Sequence, residues 1–361
     1  MFPPVAYLRW ARRFHGTVRY DLATSGVPAV ELPEVEVGGS KEEIPCAANA
    51  CELLRAAIAT YNAVPITETV AALGTTHALW LAYSALTSPG DEILVEEPAY
   101  EPLVAIAEGV GARVRRFARP ERTRFALDPA CIAKAMSSRT RAVVLTNLHN
   151  PSGARATDDE LRQAARAAAA HGAMLIVDEV YSPFDNLVDD RGVFAGTARR
   201  LAPNVIAVSS LTKCYGLGAE RIGWLLGPAE IVKRVEDVLI ATSGAFPLSH
   251  TRLGLRAFHH IKALANRSRS LVEGKRDIVA RWAADHGWGW SAPSEGLFGF
   301  ASLAGRGDLT LRIEEAARVR GVLVTPGAFF GVPSGFRIAW SAPEEDLKIG
   351  LEHLEQALSP E

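Results

Sequence analysis

The sequence has few cysteines, and they follow no pattern. Its 361 residues include four, Cys46, Cys51, Cys131 and Cys214, and no two of them have CxxC spacing. Neither a disulfide framework nor a zinc site has the spacing that it needs. Reduced thiols of this kind are typical of the cytoplasm, and we expect no bound metal.

An excess of charge and long apolar runs are also missing. Lysine plus arginine number 39 and aspartate plus glutamate 41, for a formal net charge of −2, which is too weak a field to gather nucleic acid or an acidic membrane. Arg9, Arg12 and Arg13 interrupt the N-terminal apolar residues before a secretory core can form, and no uncharged apolar run approaches membrane-spanning length. We expect a soluble, cytoplasmic protein with small-molecule partners. The stretch YLRWARRF favours a short amphipathic helix docked on the protein itself.

The middle of the chain alternates between strand and helix signals. RAVVLTNLHN and MLIVDEV are short apolar runs, and the segment between them carries Thr157 and Glu160 at capping-box spacing. Strand, helix and strand in this order predict an α/β fold with a mostly parallel sheet flanked by helices. GDEILVEE and NVIAVSSL supply two more strands. All four runs end in polar residues, and ligands bind beyond the carboxyl ends of such strands.

The pattern changes beyond about residue 250 to long helical stretches, short strands and a final amphipathic helix. This predicts a smaller α+β domain, which the N-terminal segment joins. The expected division is a large domain at 46–245 and a discontinuous small domain at 1–45 and 246–361, in agreement with a length of roughly two domains.

Lys213 follows a predicted strand and stands among groups that suit a phosphate. Ser210 and Thr212 precede it, and Arg221 follows a glycine-rich turn. A lysine near fixed positive charge loses some proton affinity and can attack a carbonyl, whereas hydroxyls and a guanidinium bind phosphate. Taken alone, a segment of this kind is far more often a solvated loop lysine.

Two further strand ends carry polar residues. Asp178 and Glu179 end one strand and precede Tyr181, and alternation lets only one of the two acids face the ligand edge. A buried carboxylate there needs a cationic or protonated nitrogen partner; a helix N-cap is the alternative. Asn150 lies before Pro151 at the tip of the preceding strand, where a simple turn is the alternative.

Three more segments offer recognition groups. Gly74, Thr75 and Thr76 stand before an apolar helical pattern, where backbone N–H groups can bind an anion or merely cap the helix. Tyr100 follows a strand and can stack on a flat ring or fill a core. Arg337, within an apolar strand, needs an anionic partner, which is either a structural acid or a ligand carboxylate.

Together these motifs resemble the class I/II aminotransferases, which are fold-type I pyridoxal-phosphate enzymes. The resemblance covers residues 50–355 and lies in the order of NLHNPSG, DEVY, SSLTK with Arg221 beyond it, PGAFFG and FRIAWS. It implies a large cofactor-binding α/β domain, a small domain, a homodimer, and transfer of an amino group from an α-amino acid to a 2-oxo acid.

The resemblance also implies roles for single positions. Lys213 corresponds to the lysine that holds pyridoxal 5′-phosphate as an internal aldimine and moves the α-proton, and Asp178 to the acid that keeps the ring nitrogen protonated. Arg337 corresponds to the clamp on the substrate carboxylate. The resemblance assigns Asn150 and Tyr181 to the ring's phenolate oxygen and Tyr100 to stacking on the ring, and it counts Tyr181 among the catalytic residues. It assigns Asn150 and Gly26 to the substrate. The phosphate is assigned to Gly74, Thr75, Thr76, Ser210 and Arg221.

The chain departs from the family pattern before Leu54 and Arg55. Pro45 and Ala50 stand where the family has a tyrosine, which reaches the phosphate of the neighbouring subunit, and a glycine.

Other functions compatible with the resemblance stay open. The alternatives to amino-group transfer are β- or γ-elimination, ring closure or decarboxylation on the same cofactor. A cofactor-binding regulatory module is disfavoured, because no helix-turn-helix pattern precedes residue 45.

Overall fold

Runs of aliphatic residues pair into a central sheet in the computed structural model, which describes residues 2–30, 47–184, 188–303, 305 and 307–358. The strand order is β2-β8-β7-β6-β5-β3-β4. Neighbours are parallel except at β8, which is antiparallel to both β2 and β7. The strands are β2 (Thr69–Ala72), β3 (Glu92–Glu97), β4 (Arg113–Ala118), β5 (Thr140–Thr146), β6 (Met174–Asp178), β7 (Val205–Ser210) and β8 (Gly223–Leu226).

Helices cover both faces of this sheet. Alternate residues of β3 belong to different cores: Ile93 and Val95 pack on one face and Leu94 on the other. Thr157 and Glu160 form the expected capping box. The predicted α/β class is confirmed. Helices between residues 47 and 272 are α2 (Ala47–Asn62), α3 (Gly74–Leu86), α4 (Glu101–Gly109), α5 (Pro129–Ala135), α6 (Asp158–Ala169), α7 (Ala229–Ser243), α8 (Leu248–His259) and α9 (Ile261–Val272).

A smaller antiparallel sheet, in the order β12-β13-β10-β9, lies in the C-terminal part of the chain. Two short strands, β1 and β11, pair in parallel beside it. The elements that form this part are α1 (Ala6–Phe14), β1 (Tyr20–Asp21), α10 (Lys275–Asp285), β9 (Gly289–Ser291), β10 (Phe298–Ser302), α11 (Thr310–Arg320), β11 (Val322–Leu323), β12 (Thr325–Pro326), β13 (Gly335–Ala339) and α12 (Glu344–Leu358).

The N-terminal helix α1 is amphipathic and docks on the protein's own core. Tyr7, Trp10 and Phe14 are buried in one cluster with Leu347 and Leu351 of α12. The described N-terminal residues therefore pack with the C-terminal elements. The division at 46–245 stays a prediction; α2 and α8 pack on each other across its second boundary, and residue 46 lies outside the described residues.

The described residues offer neither a membrane span nor a cluster of metal ligands. No helix among them is both long and apolar enough to cross a membrane. In the same part of the chain, no three histidine, cysteine, aspartate or glutamate side chains lie together as metal ligands would. Cys51, Cys131 and Cys214 are free thiols there.

Candidate active site

The amine of Lys213 lies just beyond the carboxyl end of β7. Its Nζ donates a hydrogen bond to Ser25 Oγ at 3.0 Å. Loss of hydration, together with the positive charges of Arg337 and Arg221, lowers the pKa of Lys213 to about 8. About a tenth of this amine is therefore neutral at pH 7, far more than for an ordinary lysine, and the neutral amine is the nucleophilic form.

Asp178 ends the neighbouring strand β6 and is buried. Its Oδ1 accepts a hydrogen bond from the Val180 N–H at 3.2 Å. Burial raises the pKa of Asp178 to about 7, although the charge of Lys213 works in the opposite direction. The next acid is turned to a different partner, because Glu179 Oε2 accepts from the Ala198 N–H at 2.9 Å. Of the two acids, Asp178 is the one whose charge interacts with Lys213.

Four side chains of the kind that binds a phosphate lie together at the start of α3. The Thr75 hydroxyl donates to Ser210 Oγ at 3.0 Å, and the hydroxyls of Ser210 and Thr212 lie 2.7 Å apart. Arg221 reaches the same place, since its Nη2 donates to the Leu73 carbonyl at 3.4 Å. This is a polar cradle of hydroxyls, a guanidinium and the N-terminus of a 13-residue helix, which suits an anion. The side chain of Thr76 is exposed on the first turn of α3.

Gly74 is the point of closest approach in this cradle. Its φ is +78°, in the left-handed region, and a Cβ at this position would collide with the Arg221 guanidinium. Arg221 itself has a φ of +55°, a conformation that a non-glycine residue adopts at a cost. The backbone therefore brings the guanidinium and the helix start together only with glycine at 74.

Arg337, in the middle of β13, is fully buried. Its Nη1 donates to Asn150 Oδ1 at 2.8 Å, so the predicted carboxylate clamp touches the predicted amide. Its Nη2 lies near the Ala23 carbonyl, Thr325 Oγ1 and the Tyr7 hydroxyl, at 3.0 to 3.2 Å. Among the described residues its Nε has no hydrogen-bond partner, which leaves a buried donor without an acceptor.

The aromatic residues line the same region. The Tyr181 ring packs edge to face on Phe298, with centroids 4.8 Å apart, and Tyr181 also forms a side-chain hydrogen bond with Ser25. Tyr100 lies edge to face with Tyr7 at 5.8 Å. Burial raises the pKa of both Tyr100 and Tyr181, so both hydroxyls stay protonated at neutral pH.

Gly26, which was assigned to the substrate, lies against Lys213. The Val27 N–H donates to the Lys213 carbonyl at 3.0 Å. A Cβ at Gly26 would meet Lys213 atoms at 3.5 to 3.6 Å, which is ordinary contact, so glycine is not forced here by crowding.

Three residues at the site were missed by sequence reasoning. Tyr7, Ser25 and Glu101 all contact the residues described above or the helix that carries them. Tyr7 is one of several apolar residues on an amphipathic helix, and its sequence position holds no sign of the site. The position of Ser25 directly before Gly26, the predicted loop glycine, was the one local signal for it.

The site can be compared with known proteins. The family model for aminotransferase class I and II matches residues 48–354. The chain belongs to the class I and II aminotransferase family. As a member it is a pyridoxal-phosphate-dependent enzyme, and the expected cofactor and enzyme class are confirmed.

The chain is similar to relatives named as aminotransferases and to relatives named as a synthase or a cyclase. Capreomycidine synthase of Streptomyces vinaceus is 32% identical over 85% of this chain and 79% of the relative. A probable aspartate/prephenate aminotransferase of Thermus aquaticus is 28% identical over 81% and 76%. Among solved structures, a PLP-dependent aminotransferase of Streptococcus suis covers 99% of this chain and 98% of its own, with a TM-score of 0.88 at 22% identity. The PLP-dependent cyclase OrfR covers 99% and 97%, with a TM-score of 0.82 at 22% identity.

Proposed function

We propose that this family member is a cytoplasmic aminotransferase, which moves the amino group of an α-amino acid to a 2-oxo acid with Lys213 as the catalytic base. The observation that carries the proposal is the pairing of a lysine of lowered pKa with the buried carboxylate of Asp178 at adjacent strand ends. Perturbed groups of opposite sign in one cleft are typical of an active site.

The residues present fit pyridoxal phosphate. The cradle at Gly74 leaves no room for a side chain beside Arg221, and it would hold the phosphate with Thr75 and Ser210. Asp178 is a buried carboxylate to which the described residues offer a single hydrogen bond, from the Val180 N–H, and it would hold a proton on the ring nitrogen. When bound, the cofactor withdraws electrons from the substrate Cα and makes its proton acidic.

The chain's own groups then divide the work. Lys213 Nζ, which is roughly half neutral at pH 8 because its pKa is about 8, would take the proton from the substrate Cα. Arg337 and Asn150 bind the substrate's α-carboxylate and so fix the rotation about Cα, which decides the bond that breaks. Tyr181 keeps its phenol proton at neutral pH and would donate a hydrogen bond to the ring's phenolate oxygen. Tyr100 would pack on the flat ring.

A homodimer is part of this proposal. Ile240 of α7 and Leu53 of α2 are exposed apolar side chains, 63% and 40% accessible, and Arg55 and Glu236 link their two helices at 3.0 Å. Exposed apolar groups on neighbouring elements are typical of a protein interface. Ala50 is buried within α2, and Pro45 lies outside the described residues. Sedimentation of the wild type against Ile240→Asp tests the dimer.

One experiment decides the reaction. The holoenzyme is incubated with L-amino acids labelled with ¹⁵N at the α-position and with a panel of 2-oxo acids, and the label is followed by mass spectrometry. Transamination carries the label into a new amino acid derived from the oxo acid. Label that never reaches the acceptor contradicts the proposal.

The second candidate is ring closure, favoured by the relative named capreomycidine synthase and the neighbour named a cyclase. In that reaction the label stays in the product of the donor, whereas elimination releases it as ammonium and decarboxylation leaves it in an amine with loss of carbon dioxide. The same incubation therefore separates the four reactions.

The attachment point is tested on the protein itself. Borohydride reduction of the holoenzyme, followed by peptide mass spectrometry, should find the cofactor on Lys213. Lys275→Ala is the matched control, because Lys275 also has a lowered pKa, from burial, but donates to the Leu271 and Ala342 carbonyls. Lys213→Ala should abolish attachment and turnover, and Lys275→Ala should abolish neither.

A further inference from the structure

The N-terminal helix α1 inserts one side chain into the candidate active site. The Tyr7 hydroxyl lies 3.1 Å from Arg337 Nη2, 330 residues away in sequence. Tyr7 is 5% accessible and Arg337 is fully buried. The contact therefore lies in a region shielded from water, where a hydrogen bond to a charged group is stronger than at the surface.

The hydrogen bond between Arg337 and Tyr7 leaves the hydroxyl proton of Tyr7 unused. Arg337 has donors only, so the Tyr7 oxygen must be the acceptor in the contact between them. The Tyr7 O–H proton is then available to another acceptor, and the positive charge of the neighbouring guanidinium favours an anion in that place. The unpartnered Nε of Arg337 is a second donor in the described part of the site that awaits an acceptor.

A carboxylate on helix α4 fixes the position of Tyr7. Glu101 accepts hydrogen bonds from the backbone N–H groups of Ala6 and Tyr7, at 2.9 and 2.6 Å. These N–H groups begin α1 and have no partner within that helix. Glu101 directly follows Tyr100, whose ring is the edge-to-face neighbour of Tyr7, so two consecutive residues at the start of α4 position both the backbone and the ring of Tyr7.

The rings around Arg337 restrict the guanidinium further. Its central carbon lies 5.8 Å from the Tyr7 ring centroid, 5.1 Å from that of Phe298 and 5.5 Å from that of Phe330. These distances are within cation–π range. The guanidinium is fully buried among these rings, and its N–H donors lie in its plane, so an incoming carboxylate would bind in that plane, beside the Tyr7 hydroxyl.

We propose that Tyr7 is a substrate-binding residue, whose hydroxyl accepts a hydrogen bond from Arg337 and donates its own proton to the α-carboxylate that Arg337 holds. Glu101 acts as a positioning residue through the start of α1. This inference rests on the proposed function in one respect, the assignment of Arg337 to the carboxylate.

The test uses propionate, a carboxylate without an amino group, titrated into the holoenzyme by calorimetry. Tyr7→Phe keeps the ring and removes the hydroxyl, and it should weaken propionate binding about tenfold, as expected for a lost hydrogen bond to a charged group. Phe14→Leu is the control on the same helix, because Phe14 packs in the core of α1 without touching Arg337. Binding equal to wild type in Tyr7→Phe, or equal losses in both variants, overturns the inference.

Two further arms complete the design. Glu101→Ala should weaken propionate binding, and Glu101→Gln should restore part of the lost affinity, because an amide oxygen still accepts from the N–H groups. A Glu101→Gln variant no better than Glu101→Ala contradicts the positioning role. Arg337→Gln should remove propionate binding; if it does not, the carboxylate assignment in the proposed function fails, whatever Tyr7→Phe shows.

Discussion

Asp178 and Lys213 interact at the ends of adjacent parallel strands, and burial moves their pKa values towards each other. The pKa of Asp178 rises to about 7 and that of Lys213 falls to about 8. The fold thus buries an acid and a base, and burial of either group in its charged form costs free energy. Such an arrangement persists when a ligand compensates for it.

Replacement of Asp178 should expose this cost. The pKa of Asp178 is 3.8 in its ordinary state and about 7 in the fold, so the folded form takes up a proton that the unfolded form lacks between these values, and stability falls as the pH rises through this window. We expect Asp178→Asn to stabilise the apoprotein at pH 8, by roughly 1 to 3 kcal/mol. The gain should shrink as the pH falls from 7 towards 4.

Thermal melts of apoprotein and holoenzyme measure both halves of this prediction. Asp237→Asn, at an exposed position of α7, is the control and should leave the melting temperature unchanged. Pyridoxal phosphate should raise the melting temperature of Asp178→Asn less than that of the wild type, because the acid that would hold the ring's proton is gone. A destabilised Asp178→Asn apoprotein at pH 8 contradicts the assignment.

The pKa of Lys213 predicts how capture of the cofactor depends on pH. The free amine is the reacting form, and its fraction grows about tenfold per pH unit below the pKa. With the pKa at about 8, the rate at which apoprotein captures pyridoxal phosphate should climb up to pH 8 and level off above it. Stopped-flow absorbance measures the rate. A climb that continues to pH 10 would show a lysine of ordinary pKa.

Much of this site was predictable because its chemistry stands at the ends of apolar runs. Asp178 and Lys213 each follow a buried strand, and parallel strands bring such ends to one edge. The capping box of α6 was readable for a similar reason, since its two members are three residues apart. These features depend on short sequence separations or on the regular pairing of strands.

The contacts of α1 were not predictable in the same way. Tyr7 reaches Arg337 across 330 residues and its N–H reaches Glu101 across 94, and no periodicity encodes such distances. The pattern of α1 predicts a buried face, which is correct, and is silent about the one hydroxyl on that face. Ser25 was missed because a small polar residue in a loop has many uses.

Gly74 offers a prediction about the phosphate cradle. In Gly74→Ala the new Cβ meets the Arg221 guanidinium, which must move away. We expect affinity for pyridoxal phosphate to fall by about tenfold or more, the effect of losing one charge-assisted contact. Gly90→Ala is the matched control: its φ of +92° carries a comparable backbone cost, but nothing lies within 4 Å of the new Cβ.

Inorganic phosphate separates the two variants without turnover. Competition between phosphate and the cofactor for apoprotein should weaken in Gly74→Ala and persist in Gly90→Ala. If both variants lose equal affinity, then backbone strain rather than the collision with Arg221 explains the loss, and the cradle is not the phosphate site.

A buried ion pair supports the strand ends that carry the site. Glu96 of β3 contacts Arg119 at 2.7 Å, and neither side chain is accessible. Glu96 also accepts from the Thr146 N–H at 2.6 Å, and Arg119 Nε donates to the Phe125 carbonyl at 2.8 Å. The pair therefore joins the ends of β3 and β5 to the segment after β4.

Loss of one partner should cost more than loss of both. Arg119→Met leaves the Glu96 charge unpaired in the interior, and we expect the free energy of unfolding to fall by about 3 to 5 kcal/mol at pH 8. Burial raises the pKa of Glu96 even with Arg119 present, and without it the pKa rises further. A carboxyl group of raised pKa destabilises the fold less as the pH falls, so the loss should be smaller at pH 5. In the double variant Glu96→Gln with Arg119→Met, neither member of the pair carries a charge. Denaturant unfolding should show that this double variant is more stable than Arg119→Met alone. A double variant less stable than Arg119→Met would mean that the pair acts through its packing rather than through its charge.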